Sequence, residues 1–138
     1  MAATFIPIVI TDVTAYTVLA RNTGMLHYFP DFGSTCTATL PSPKAGMWFE
    51  FAYSGVAADA ANFIVDTGSN TNYFIGGLTF LDSDDVIAPI AGNGSSNSKL
   101  TVVKPAPGTR FRVESANGTT WNLSGFVLSD TIPSFADQ

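Results

Sequence analysis

Residues 35–40 read Thr-Cys-Thr-Ala-Thr-Leu and alternate strictly between polar and apolar side chains. Successive side chains of a β-strand point to opposite faces, so this stretch predicts a strand with its apolar residues buried and its threonines outside. The stretches Met47–Tyr53 and Thr109–Ser115 alternate in the same way. Half-buried strands of this kind are typical of antiparallel sheets.

Less regular apolar stretches lie around these three and complete the predicted set of strands. They are Phe5–Ile10, Tyr16–Leu19, Leu26–Phe29, Asn62–Asp66, Tyr73–Leu81, Lys99–Lys104 and Trp121–Leu128. About ten short strands at this spacing are typical of a sandwich or barrel. We therefore predict a single all-β domain over residues 1–138, an antiparallel β-sandwich or jelly-roll-like barrel. Proline-containing arms are expected at 1–11 (N-terminal) and 129–138 (C-terminal).

Glycine and proline mark the connections between the predicted strands. Asn117-Gly118 predicts a hairpin with a type I′ turn, because both central residues of that turn need positive φ. Pro41–Gly46 and Pro105–Gly108 predict rigid connectors. Gly76-Gly77 inside an apolar stretch predicts a bulge. Only Val56–Asn62 has a helix-like composition, which is enough for one or two turns.

The chain is poor in charge, and its few charges are mainly acidic. It has 6 Lys+Arg against 11 Asp+Glu, a net charge of −5, and 16 Thr, 12 Ser and 8 Asn. A nucleic-acid partner needs a basic stripe, and an anionic membrane needs basic clusters, so we expect neither partner. No apolar run approaches the ~20 residues of a membrane span, and residues 1–10, which lack a basic n-region and contain Pro7, are not expected to be a secretion signal. The single cysteine, Cys36, allows no disulfide within the chain, and synthesis in a cytoplasm is the simplest inference.

One short motif suggests catalysis. Phe63–Ser69, Phe-Ile-Val-Asp-Thr-Gly-Ser, resembles the active-site loop of aspartic proteases, in which two carboxylates share one proton. A single copy would require a homodimer with Asp66 from each chain. The same residues form an ordinary turn at a strand end, where Asp bonds the local backbone and Gly takes positive φ. We interpret the motif as a turn.

The remaining polar clusters do not predict a chemical site. Asp82–Asp85 contains three carboxylates but lacks the spacing of a calcium-binding loop, and it is interpreted as a solvated acidic turn, with weak cation binding at a symmetric interface as the alternative. His27, the only histidine, is expected in packing or at an interface, and Cys36 is expected as a small core residue. The sequence thus predicts no catalytic residue, no cofactor and no metal.

Trp48 lies on the opposite strand face from Met47, Phe49 and Phe51. Either a second sheet or a sister subunit covers it, or it is exposed to a partner such as a sugar ring. The first interpretation is the more conservative one, and both remain open at this stage.

Three segments carry a resemblance to known proteins. They are Leu40–Phe51 (Leu-Pro-Ser-Pro-Lys-Ala-Gly-Met-Trp-Phe-Glu-Phe), Asn62–Ser69 (Asn-Phe-Ile-Val-Asp-Thr-Gly-Ser) and 121–137, which ends in Ile-Pro-Ser-Phe-Ala-Asp. They resemble small β-rich virion proteins of tailed phages, including marine phages and cyanophages. The resemblance covers residues 26–137 and implies a capsid decoration (cement) protein, commonly a homotrimer seated on the shell. It brings no catalytic residues.

From these observations the sequence predicts a virion protein that binds the major capsid protein and further copies of itself on the capsid surface. A surface rich in uncharged hydroxyls and amides can be covered without desolvating many ions, each at a cost of several kcal/mol. The expected interface residues are Phe5, Ile6, Ile8, Trp48, Ile132 and Phe135. One alternative is a head-fibre or tail adhesion module that binds host glycans through Trp48 and the predicted flexible loop Gly92–Ser98. A further alternative is the homodimeric aspartic protease with Asp66.

Overall fold

The computed structural model describes residues 6–82 and 84–138, which form twelve β-strands and one 3₁₀ turn at Ala20–Asn22. The first six strands are β1 (Ile8–Val9), β2 (Ala15–Thr17), β3 (Leu26–Phe29), β4 (Cys36–Thr39), β5 (Trp48–Tyr53) and β6 (Phe63–Asp66). The last six are β7 (Tyr73–Leu81), β8 (Ile87–Ala91), β9 (Lys99–Val102), β10 (Arg110–Glu114), β11 (Thr120–Leu128) and β12 (Ser134–Ala136). They form a seven-stranded sheet, β1-β3-β5-β10-β11-β7-β8, and a five-stranded sheet, β12-β9-β6-β4-β2. The predicted β-sandwich is confirmed.

The sheets are mixed rather than antiparallel throughout. From β1 to β7 the chain crosses to the other sheet after every strand, and each crossing reverses its direction. Every second strand therefore runs the same way, and β1, β3 and β5 pair in parallel, as do β2, β4 and β6. Antiparallel pairing of consecutive strands occurs where the chain folds back as a hairpin, at β7–β8 and β10–β11. Alternation along single strands does not reveal these crossings.

An aromatic cluster fills the space between the sheets. Phe63 of the five-stranded sheet is fully buried, and its ring centroid lies 4.1 Å from that of Phe29, 5.7 Å from Phe51 and 6.4 Å from Phe111. These three partners all lie on or beside the seven-stranded sheet. Buried aromatic rings contribute both apolar area and preferred pair geometries. Phe63 thus links the two sheets at the centre of the core.

The structure adds two strands to the predicted set and changes two turns. Strand β8 carries Pro89, which a sheet accepts because β8 is an outermost strand and an edge residue need not donate to a neighbour. The helix-like segment Val56–Asn62 contains no helix, so that prediction is wrong. The hairpin at Asn117-Gly118 is present, but Gly118 has φ of 77° while Asn117 has no positive φ. The turn is therefore not type I′, and the Asn117 side chain organises it by accepting the Thr119 and Thr120 amides.

The described parts of both predicted arms lie against the sandwich as edge strands. Ile10 is buried in the core, and β1 pairs with β3 at one end of the seven-stranded sheet. Strand β12 pairs with β9 at an end of the five-stranded sheet, and Phe135 packs on Phe74 at 6.2 Å between ring centroids. Apolar side chains of these segments therefore contribute to the sandwich itself.

Candidate interaction face

The outer face of the seven-stranded sheet, here called the interaction face, has a charged half on its central strands and an apolar half towards the β8 edge, and exposed Val9 lies at the opposite edge. The charged half lies on β5 and β10, whose outward residues apart from Ala52 are Trp48, Glu50, Arg110, Arg112 and Glu114. Both glutamates of the chain and two of its three arginines are in this half. Strict alternation places them there, because the residues between them are buried in the core.

Ion pairs and a stacking contact hold the charged half together. The Arg110 Nε donates to Glu50 Oε1 at 2.7 Å, and the hydrogen bond from Arg110 lowers the pKa of Glu50 and raises that of Arg110. The Arg112 guanidinium lies over the Trp48 ring, 3.9 Å from its centroid, and 3.5 Å from Glu114. A cation over an indole face is attracted by the ring quadrupole. Trp48 is half-buried, and Arg112 of its own sheet covers one face of its ring.

The apolar half lies on β11, β7 and β8. Register partners place Leu128, Leu81 and Ile87 in one row across the three strands, with Phe126 in the neighbouring row. Phe126 keeps 53% of its surface exposed, Ile87 66% and the adjacent Val86 53%. Single exposed apolar residues are ordinary, but a contiguous exposed patch marks an interaction site. These residues were not predicted from the sequence as part of a site.

A groove of about 250 Å³ lies between the two halves, where β10 and β11 pair. Arg110, Arg112 and Phe126 line it together with Gly125, which has φ of 128°. A Cβ atom at Gly125 would collide with the Arg110 carbonyl oxygen and the Phe111 Cα atom. Glycine is therefore required both by the backbone angle and by the close approach of β10. Phe126 is the direct cross-strand partner of Arg110, so the charged and apolar halves meet at this pair.

The predicted interface residues do not come together in one site. Ile6 is exposed and Ile8 half-buried at the β1 edge, whereas Ile132 is exposed and Phe135 half-buried near the β12 edge. These edges lie at opposite sides of the sandwich, since β2 faces β3 through Tyr16 and His27 while β12 faces β7. Trp48 lies on the interaction face between them. Phe5 lies outside the described residues.

Asp66 takes part in a local turn, as the turn interpretation predicts. Its carboxylate accepts the Gly68 amide at 2.6 Å, and Gly68 has φ of 78°. The Thr67 hydroxyl donates to the Ser69 carbonyl at 2.9 Å. Asp66 lies on the outer side of the five-stranded sheet, opposite Lys99 in the register. The motif thus ends strand β6 in a hydrogen-bonded turn.

The acidic segment that follows β7 forms the turn of the β7–β8 hairpin. The Asp82 amide donates to the Val86 carbonyl at 2.9 Å, and the Asp85 amide donates to the Asp82 carbonyl at 3.2 Å. Asp85 has φ of 64°, which aspartate tolerates better than most residues. Within residues 6–82 and 84–138, no three His, Cys, Asp or Glu side chains converge closely enough to hold a metal ion.

His27 and Cys36 are both buried in the core. His27 lies among the rings of Tyr16, Phe49 and Phe51, and its Nδ1 lies 3.1 Å from the Met25 carbonyl oxygen. Because a carbonyl only accepts, Nδ1 carries the proton and Nε2 is an acceptor. Burial lowers the pKa of His27, and the hydrogen bond with Met25 opposes this effect. Burial, with a further contribution from the Asp12 charge, raises the pKa of Cys36 to about 11, which fits a core thiol.

The loop of the adhesion alternative is closed by its own hydrogen bonds. The Asn93 side-chain oxygen accepts the amides of Ser95, Ser96 and Asn97. The loop is close to Ile75. Ile75 and Trp48 lie in the same cross-strand row, three strand spacings or about 14 Å apart. A glycan that contacts both would have to bridge the Glu114 and Asn122 positions.

Comparison with protein families, with curated proteins and with solved structures found no match to this chain. In the part of the chain that the structure describes, no helix is long and apolar enough to cross a membrane.

Proposed function

We propose that this chain is a non-enzymatic structural protein of a virion, which binds the outer surface of a capsid as a decoration protein and stabilises the shell. The observation that carries the proposal is the apolar half of the interaction face, where Phe126 and Ile87 remain exposed on paired strands and Val86 is exposed directly before β8. Covering such a patch releases about 25 cal/mol for each Å² of apolar surface. The resemblance of the sequence to phage decoration proteins supports the choice of partner.

The face is better suited to docking than the sheet edges are. Three of the four outermost strands, β1, β2 and β12, have only two or three residues. The fourth, β8, carries Pro89, which has no backbone amide to donate. Short or proline-containing edges disfavour the addition of a strand from another chain. We infer that the partner packs on side chains of the face rather than on backbone at an edge.

The charges of the charged half are already paired with one another. Its arginines already contact its glutamates, so a partner would not leave an unpaired ion beneath it. The partners that we propose are the major capsid protein and further copies of the chain in a homotrimer, at the virion surface. A protein that binds only the assembled shell stabilises it by mass action.

Removal of the exposed apolar side chains tests this proposal. Phe126→Ser combined with Ile87→Ser is expected to weaken binding to purified, stripped capsids by about 30-fold, since each half-exposed side chain contributes ~1 kcal/mol. Val56→Ser is the matched control, because Val56 is 99% exposed and lies in the loop that follows β5. Binding is measured by co-sedimentation, and shell stability by the temperature at which the particles release their genome. The proposal is contradicted if the double variant and Val56→Ser weaken capsid binding equally. It is also contradicted if the particles release their genome at the same temperature with and without the protein.

A further inference from the structure

A cavity of about 350 Å³ lies where the apolar half of the interaction face meets the β7–β8 turn. Its half-buried lining includes the apolar side chains of Leu81, Leu128 and Ala106. Its exposed lining is acidic, with Asp85 and Asp130, and Asp82 is half-buried in the same wall. We call this cavity the β7–β11 pocket. It combines an apolar interior with a negatively charged opening.

Backbone hydrogen bonds fix the shape of the pocket. Leu81 and Leu128 are register partners on the parallel strands β7 and β11, and both point to the outer face. The Leu128 carbonyl accepts the Ala106 amide at 2.8 Å, and the Leu81 carbonyl accepts the Ser129 amide at 3.2 Å. The hairpin turn holds Asp85 beside this row. The pocket is therefore a built continuation of the apolar half.

We infer that the β7–β11 pocket binds a basic side chain of the partner protein, a lysine or arginine. Its methylene stem would pack on Leu81 and Leu128, and its cationic head group would lie at Asp85 and Asp130. Long basic side chains bury their stems on apolar surface and keep their charge at the polar rim. The inference rests on the proposed function for the identity of the partner protein, but not for the chemistry of the ligand.

Charge complementarity favours this ligand. Four of the 11 acidic residues of the chain, Asp82, Asp84, Asp85 and Asp130, lie in or beside the pocket, and none of the 6 basic residues lines it. The carboxylates do not converge on a single point in the described residues, so an extended cation fits the pocket better than a metal ion does. An acidic partner would be repelled from the same opening.

Titration of the isolated protein with n-butylammonium, the lysine side-chain analogue, tests the chemistry. Followed by NMR, the amide signals of Leu81, Ala106 and Leu128 are expected to shift with n-butylammonium and much less with neutral 1-butanol. Asp85→Asn is expected to weaken butylammonium binding about two- to fivefold, the range for one exposed ion pair. Asparagine also tolerates positive φ, so this variant retains the turn. Asp84→Asn is the matched control, since it removes the same charge from the same turn but outside the lining. Equal binding of 1-butanol, or equal weakening by the two variants, would overturn the inference.

Rebinding to stripped capsids separates this inference from the proposed function. Asp85→Asn should bind the capsids two- to fivefold more weakly than Asp84→Asn, with a shallower dependence on salt. If the natural protein and both variants bind capsids alike, the pocket inference fails while the proposed function stands. If butylammonium binds as expected but the natural protein does not bind capsids, the proposed function fails while the chemistry of the pocket stands.

Discussion

The outer faces of the two sheets follow the same alternation but have different surfaces. The interaction face carries arginines, a half-buried tryptophan and exposed Phe126 and Ile87. Threonine is the most frequent residue on the outer face of the five-stranded sheet. Its outward residues on β2, β4, β6 and β9 are Ala15, Thr17, Thr37, Thr39, Ile64, Asp66, Lys99 and Thr101. None of these eight is a large exposed apolar side chain.

The composition of an outer face depends on the surroundings of the protein, whereas the composition of the core does not. The core needs only one face of each sheet, so the other face is set by the surroundings of the protein. Threonine suits a strand whose outer face is in water, because its branched side chain favours β structure and its hydroxyl is solvated. Exposed phenylalanine and isoleucine do not suit water. The partner that we propose is therefore expected on the seven-stranded side, and solvent on the five-stranded side.

The largest expected effect is on the core that both faces share. Phe63→Ala should lower the free energy of unfolding by about 3–5 kcal/mol, because it leaves a cavity among the rings that join the two sheets. Urea unfolding followed by circular dichroism measures the loss. Ile64→Thr, one residue further along β6 on the outer face, should change this free energy by less than ~1 kcal/mol. Similar losses for the two variants would mean that the inner and outer faces of β6 are not energetically distinct.

The sequence was sufficient to predict ten of the twelve strands and the buried side of those that alternate regularly. Leu26–Phe29 and Tyr73–Leu81 have the predicted bounds, and the alternation over residues 35–40 places Cys36, Ala38 and Leu40 in the core. This information is local, because the period of two is a property of a single strand. The crossing of the chain between sheets depends on contacts among distant strands, so the parallel pairs could not be predicted in this way.

The apolar half of the interaction face was not predicted from the sequence for a different reason. In β11 the inward position 125 is a glycine and the outward position 126 is a phenylalanine, so the hydrophobic pattern is inverted there. Proline is uncommon within a strand, so β8, which contains Pro89 and carries Ile87, was not predicted from the sequence. The signal for Phe126 was nevertheless present, since strict alternation from Trp121 places it outside. An outward aromatic residue on a predicted strand is the sequence feature that indicates this face.

Acid should weaken the core beneath the interaction face before it affects the ion pairs on that face. Burial depresses the pKa of His27, so the folded protein favours the neutral ring and the unfolded chain binds a proton more readily. Stability is therefore complete above pH ~6.5 and falls as the pH decreases from there towards the lower folded pKa. Unfolding in urea between pH 8 and pH 5 measures this slope. His27→Leu should remove the slope over this range.

The ion pair on the face provides the control for the acid response. The hydrogen bond from Arg110 lowers the pKa of Glu50, so its contribution is present above the unfolded pKa of about 4.5 and is lost below it. Glu50→Gln should leave the slope between pH 8 and pH 5 unchanged. If Glu50→Gln removes that slope and His27→Leu does not, the acid response belongs to the face and not to the core.

The smallest expected effect is a coupling free energy, measured for one polar contact on each outer face. On the interaction face, Arg112 stacks on Trp48, and its Nε is buried with no hydrogen-bond partner among the described residues. A double-mutant cycle of Arg112→Gln and Trp48→Leu should give a coupling free energy of about 0.5–1 kcal/mol, because a partly desolvated cation is attracted more strongly to the ring.

On the five-stranded sheet, Lys99 lies opposite Asp66 in the antiparallel register, and the cycle of Lys99→Gln and Asp66→Asn is the matched measurement. Asparagine retains the oxygen that accepts the Gly68 amide, so the turn remains intact. A cross-strand pair at the surface contributes little, and the coupling of this half-buried pair should be below ~0.5 kcal/mol and should decrease further in salt. The Arg112–Trp48 coupling should persist in salt, because the guanidinium is already partly withdrawn from water by the ring. If the two couplings are equal and equally sensitive to salt, the charged half of the interaction face is an ordinary solvated surface, and only its apolar half distinguishes it from the threonine face.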